Sequence, residues 1–160
     1  MDDQASPEYL IDMSHASAAS SQASTCSVEP GSAEDVSKIV SSLYPILCLF
    51  QTRISQLRIL GSTRTPFGLK SGGHSMNPGF SSTNGVQIVM TRFNDTKVNF
   101  TSGTVEIGAG LTWDQVYDAL EPTGVNVVGG RVPGVGVAGL TLGGGECFLS
   151  SVRRAESQVV

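Results

Sequence analysis

Of the 19 glycines in this 160-residue chain, 18 fall between Gly61 and Gly145, and eight crowd into the stretch from Gly129 to Gly145. Each glycine in a helix interior costs about 1 kcal/mol relative to alanine, so such a run works against long helices. It favours turns and places where bare backbone comes close to another group. The run has no three-residue period, which excludes a collagen-like helix. Apolar residues make up 39% of the chain and charged residues 15%, enough for a packed core in one domain and too few charges for a solvated tail. Ten Lys and Arg against a net charge of −4 leave no basic stripe to neutralise phosphates, so nucleic acid is not an expected partner.

Met1 is followed by Asp2 and Asp3, the wrong charge for the start of an export signal, and no apolar stretch follows. Tyr44 to Phe50 is far shorter than the roughly 20 residues of a membrane span, so no membrane partner is expected. Cys26, Cys48 and Cys147 form an odd set without paired spacing, which reads as free buried thiols, with no zinc or other metal site. Two N-glycosylation sequons, Asn94-Asp95-Thr96 and Asn99-Phe100-Thr101, lean the other way, towards secretion. Localisation stays open.

Residues 1–27 are rich in Ser and Ala with no sustained apolar period, and read as a loose arm. A helix follows, capped by Ser32, with Val36, Ile39, Val40 and Leu43 on one face and Pro45 as its stop. Tyr44 to Leu60 shows no clean pattern. Short β segments are expected at Phe67–Lys70, Val86–Met90, Lys97–Phe100 and Thr104–Gly108, where apolar residues lie between Gly, Asn, Ser and Thr clusters. Thr112 and Gln115 have capping-box spacing ahead of a helix that places Trp113, Val116, Tyr117 and Leu120 on one side, with Asp114, Asp118 and Glu121 on its solvated face. Val125–Val128 reads as one more strand. Mixed elements with short connections define an α+β fold.

Two glycine motifs carry the chemistry. Gly134-Val135-Gly136-Val-Ala-Gly139 matches the dinucleotide fingerprint, but Leu140-Thr-Leu142 runs straight into Gly143-Gly144-Gly145, which leaves little room for the long helix a Rossmann turn needs. Three readings are open at this point: a nicotinamide-binding Rossmann site, a purely structural glycine corner, or another phosphate or flavin cradle built from backbone N–H groups. The second motif is Lys70-Ser71-Gly72-Gly73-His74-Ser75, a histidine after two glycines at the end of a short strand. His15, in the Ser-rich arm, reads as an ordinary hydrogen-bonded histidine.

KSGGHS, then TVEIGAGLTWDQVYDAL, then GGRVPGVGVAGLTLGGG resembles the FAD-binding domain of the vanillyl-alcohol oxidase and p-cresol methylhydroxylase (PCMH) superfamily, and within it fungal berberine-bridge-like FAD-linked oxidases. The resemblance implies a PCMH-type domain of two small α/β subdomains over residues 28–145, incomplete at its C-terminus. Residues 44–60 look like an insertion, and residues 146–160 like a tail foreign to the family. It implies FAD as the cofactor, held by Ser71, Gly72, Gly73, His74 and Ser75 and by Gly134, Val135, Gly136, Gly139, Gly143 and Gly144. In that family the histidine matched by His74 carries the flavin covalently through its 8α-methyl group. Imidazole is a nucleophile in its neutral form, which suits that role. Some relatives add a second link through a cysteine, but Val132 stands there, so a single bond is expected.

The implied function is an FAD-dependent oxidoreductase of the oxygen-dependent alcohol or carbohydrate type, acting on a small-molecule substrate. The chain would be its N-terminal flavin-holding fragment, and no catalytic base is identified in it. The competing readings are a non-catalytic fragment that holds flavin poorly and a Rossmann-type nicotinamide domain.

Overall fold

The first element starts where Ser6 accepts the Tyr9 N–H at 3.1 Å and Pro7 takes the first helical turn, opening α1 (Pro7–Met13). A computed structural model describes residues 6–41 and 65–145. After α1 come a 3₁₀ turn at Ala18–Ser20 and strand β1 (Cys26–Val28). The arm is therefore not loose. Tyr9, Met13 and Cys26 are buried, the Tyr9 hydroxyl donates to Ser24 O at 2.6 Å, and the Ser24 hydroxyl donates to Thr83 O at 2.6 Å. Serine-rich sequence reads as solvated, but here buried hydroxyls bond to neighbouring backbone and a few apolar side chains anchor the segment.

Cys26 is also not a free thiol. It is 4% exposed and takes part in a disulfide, with Cys48 and Cys147 both outside the described residues. The readings of Tyr44–Leu60, of Pro45 and of residues 146–160 likewise lie outside them.

Helix α2 (Ala33–Ser41) follows β1, with the Ser32 hydroxyl accepting the Asp35 N–H at 3.1 Å as the cap spacing predicts. Strands β2 (Phe67–Lys70) and β3 (Val86–Val89) complete a parallel sheet of order β1-β3-β2. Central β3 carries Gln87, Ile88 and Val89, all buried, and Ile88 packs with Ile39 of α2 among Val28, Val86 and Met90. Buried Gln87 donates its Nε2 to Gly68 O and Ser81 O, which ties the loop after β2 to the sheet.

The second half is an antiparallel hairpin of β4 (Thr96–Asn99) and β5 (Thr104–Ile107), with Val98 opposite Val105. Val105 and Ile107 alternate with exposed neighbours, as a half-buried strand requires. They pack under α3 (Trp113–Leu120), whose Trp113, Val116 and Leu120 join Leu111 and Val137 in the larger apolar cluster. Gln115 Oε1 accepts the Thr112 N–H at 2.9 Å, the return bond expected of the capping box.

Val125–Val128 is not a strand. Its backbone joins neither sheet, and Val127 instead packs against the α3 cluster. The glycine run does contain a helix, α4 (Val137–Gly143), of only seven residues, and it ends where Gly144 takes φ 73°. The α+β class holds: the described residues form one small parallel sheet and one hairpin, each with its own helices and core.

Candidate functional site

The Ser71–Ser75 loop leaves the end of β2 under firm restraint. Met90 N–H donates to Lys70 O at 2.9 Å, which holds the last strand residue to β3. Lys70 is 7% exposed, and its ammonium donates to Ile11 O at 3.1 Å and Asp12 O at 2.8 Å, carbonyls at the C-terminal end of α1. Burial lowers the Lys70 pKa, against the opposing charges of Asp12 and Glu29, and burial raises that of the Asp12 carboxyl. Ala16 N–H donates to Gly73 O at 3.0 Å, and the His15 ring lies beside Gly73 with Nε2 3.3 Å from Ser81 O. His15 is thus a hydrogen-bonded structural histidine, and its place is against the glycine loop. The sequence pattern did not point to the arm as the backing of this loop.

The second motif is held by the start of α3. Trp113 N–H donates to Val135 O at 3.0 Å and Val137 N–H to Leu111 O at 2.9 Å, around an antiparallel bridge between Thr112 and Gly136. Gly134 has φ 80°, a left-handed backbone that glycine takes at little cost. Its N–H donates to Asp114 Oδ1 at 2.8 Å. This corrects the reading of Asp114 as merely solvated: the carboxylate clamps the strip, and that bond lowers its pKa below the ordinary value. Asp118 and Glu121 are exposed, as expected.

The two motifs meet backbone to backbone. A Cβ on Gly72 would lie 2.6 Å from Gly136 N and 2.8 Å from Gly134 O, so only glycine fits. Ser71 donates its hydroxyl to Ala109 O at 2.6 Å, a second tie between the halves. The half-buried His74 sits beside the strip, its ring Cδ2 3.8 Å from where a Gly134 Cβ would be. Ser71, Gly72, His74, Gly134 and Gly136 therefore gather at one seam, while buried Gly73 faces Lys70 and His15 on the arm side. Ser75 is half-buried beside His74, its hydroxyl accepting Asn77 N–H at 3.3 Å. Val135 turns into the α3 cluster, so only its backbone serves the strip. Gly139, Gly143 and Gly144 lie along α4 and its end, with nothing within 4 Å of the place a Cβ would take.

Bare glycine backbone, the His74 imidazole beside it and the Asp114 carboxylate engaged by the Gly134 N–H thus come together at one seam. Among the described residues no cluster of His, Cys, Asp and Glu could hold a metal ion, and no helix is long and apolar enough to cross a membrane. A shallow cleft of about 360 Å³ lies on the arm, between Tyr9, Leu10, Met13, Ser14, Ser21 and Ala23, and includes no residue of either motif.

The fold is that of a small domain of α+β class. The family model described as an FAD binding domain matches residues 54–159, and the chain belongs to that family. The chain is 42% identical over 111 residues to an FAD-dependent monooxygenase of Fusarium proliferatum, an alignment covering 66% of this chain and 22% of the relative. It is 37% identical over 123 residues to an FAD-dependent monooxygenase of Aspergillus niger, covering 76% and 18%, and 38% identical over 141 residues to one of Aspergillus calidoustus, covering 88% and 24%. The chain thus spans about a fifth of the length of these curated relatives. No solved structure matches it.

Proposed function

We propose that this chain is the flavin-holding part of an FAD-dependent oxidoreductase of the fungal monooxygenase kind, with FAD seated along the seam and bonded to His74. The observation that carries the proposal is the convergence of two glycine motifs, about 60 residues apart in sequence, on one another and on that imidazole. Bound there, FAD would supply the redox chemistry, accepting a hydride from a small-molecule substrate. The backbone of Gly72, Gly73, Gly134 and Gly136 would line the cofactor, and Gly139, Gly143 and Gly144 would offer it an unobstructed face. Ser71 and Asp114 hold that backbone in place through Ala109 O and Gly134 N. His74 supplies the nucleophilic nitrogen for a single covalent bond, with Val132 where a second link would need cysteine. The division into arm, domain with insertion at 44–60, and tail from 146 belongs to the same proposal, as does a substrate-binding portion outside this chain.

The test is reconstitution. The chain is stripped of flavin, incubated with FAD and analysed by intact-mass spectrometry and by its flavin absorption band. The wild-type chain is expected to show an FAD adduct and the His74→Ala chain none. An adduct that survives His74→Ala overturns the covalent assignment. Soluble, folded protein that takes up no flavin at all supports the reading of a fragment unable to hold its cofactor.

A further inference from the structure

The cofactor seam leaves one sequence motif unused, the tip of the β4–β5 hairpin. Strand β4 ends at Asn99, and the chain turns through Phe100, Thr101, Ser102 and Gly103 before β5, every one of them exposed. Asn99 O accepts the Gly103 N–H at 2.9 Å, which closes the turn. The Asn99 side chain accepts two further backbone N–H groups, from Thr101 at 3.0 Å and from Ser102 at 3.1 Å. Two donors converging on one atom require that atom to be the carboxamide oxygen. The Nδ2 amide is therefore on the opposite side of the carboxamide, directed away from the turn, and no hydrogen bond from it occurs among the described residues. Phe100, the middle residue of the Asn99-Phe100-Thr101 sequon, is 72% exposed.

A second, separate observation concerns the compartment. Cys26 takes part in a disulfide. Disulfides form and persist in oxidising compartments such as the endoplasmic reticulum lumen and are rare in the reducing cytosol. N-linked glycans are a modification of secreted proteins, at Asn-X-Ser/Thr triplets on the surface. From the turn geometry and the disulfide together we infer that Asn99 carries an N-linked glycan. Asn94 is exposed too, but its sequon leads directly into the ladder: Thr96 opens β4 in register with Ile107, and Gly108 N–H donates to Asp95 O at 2.8 Å. Of that triplet Thr96 lies in the pairing strand, whereas Thr101 of the other lies in the exposed turn.

In the modification, a bond forms between Asn99 Nδ2 and C1 of the first sugar of a lipid-pyrophosphate-linked oligosaccharide, and the bond from C1 to the pyrophosphate oxygen breaks. The amide nitrogen releases one proton and the lipid pyrophosphate leaves with the bonding pair. Nothing is oxidised or reduced. The glycan would cover the exposed Phe100 ring, and no residue of the tip takes part in the cofactor seam, so the inference stands apart from the proposed function.

The test uses the full 160-residue chain behind a cleavable secretion leader in a yeast host. Whole-culture protein is treated in heavy-oxygen water with a peptide N-glycosidase, the amidase that hydrolyses a glycosylated asparagine carboxamide to aspartate, and its peptides are read by mass spectrometry, so that protein retained in the cell is counted with secreted protein. The expected result is a heavy-oxygen aspartate at position 99, absent in Asn99→Gln and in Thr101→Ala and kept in Thr101→Ser and in Asn94→Gln. An unlabelled asparagine at 99 in the wild-type chain, or a glycan-dependent gel shift that Asn99→Gln leaves intact, overturns the inference.

Discussion

At Gly72 the absence of one carbon allows the two motifs to meet. The atoms a Cβ would strike are backbone on the opposing strip, Gly136 N, Gly136 Cα and Gly134 O, and no flexible side chain is there to yield. Gly72→Ala should therefore push the seam apart, with an overpacking cost of about 1–3 kcal/mol visible as a lower urea midpoint. An unchanged midpoint would mean that the backbones can separate freely. Gly139 presents the opposite case, since it lies inside α4 with open space where its Cβ would point. Gly139→Ala should leave the fold unchanged or stabilise it by up to about 1 kcal/mol through helix propensity. If the open face is where FAD lies, the same substitution weakens flavin retention on a desalting column. Stability gained without loss of flavin would assign Gly139 to the turn chemistry of α4 alone.

Among the elements, α3 does more than cover the hairpin, because its first turn holds the second motif. Asp114 has a pKa lowered from the ordinary 3.8, first of all by its bond from Gly134 N–H. A depressed folded-state pKa means that the clamp contributes fully above the unfolded value and is lost as pH falls through the folded one. Exchange of the Gly134 amide should accordingly quicken as pH drops below about 4, beyond the intrinsic pH trend. In Asp114→Asn that extra component should vanish while a weaker, uncharged bond persists, and in Asp114→Ala exchange should be fast throughout. The carboxylate is exposed, so its contribution to overall stability should not exceed about 1 kcal/mol. A wild-type chain with no excess exchange at low pH would remove the clamp from the account. This contact also marks the limit of reading the sequence. Strands β2 to β5 and helix α3 were readable because alternation, turn residues and cap spacing are local signals, and both glycine motifs stand out for the same reason. Asp114 looked solvated because its partner lies 20 residues further along the chain. Helix α1 was missed although Ser6, Pro7 and Glu8 spell a helix start, since seven residues are too few to show a period. Val125–Val128 has strand composition, but its backbone joins neither sheet and Val127 packs against the α3 cluster.

At the scale of the whole molecule, the described residues form two cores. Ile39 and Ile88 form one with the parallel sheet, and Leu111, Trp113, Val116, Leu120 and Val137 form the other with the hairpin. No residue is shared between the two clusters, and the glycine seam is one of the places where the halves touch. A ligand lying along that seam binds only when both sides are in place, so its binding free energy stabilises the pair together. At a hundredfold excess over its dissociation constant the gain is about 2.7 kcal/mol. Each half has its own reporter: Trp113, the only tryptophan, for the hairpin half, and the Ile88 and Val89 amides of buried β3 for the sheet. In the His74→Ala chain, where any FAD bound is held non-covalently, added FAD should raise the thermal midpoint of Trp113 fluorescence and slow exchange at Ile88 and Val89 over the same concentration range. Adding Gly72→Ala should abolish both responses at once, because the seam no longer closes. Protection of the β3 amides with no change at Trp113 would show that FAD rests on the His74 side alone, and the glycine strip from Gly134 onward would then be a structural corner.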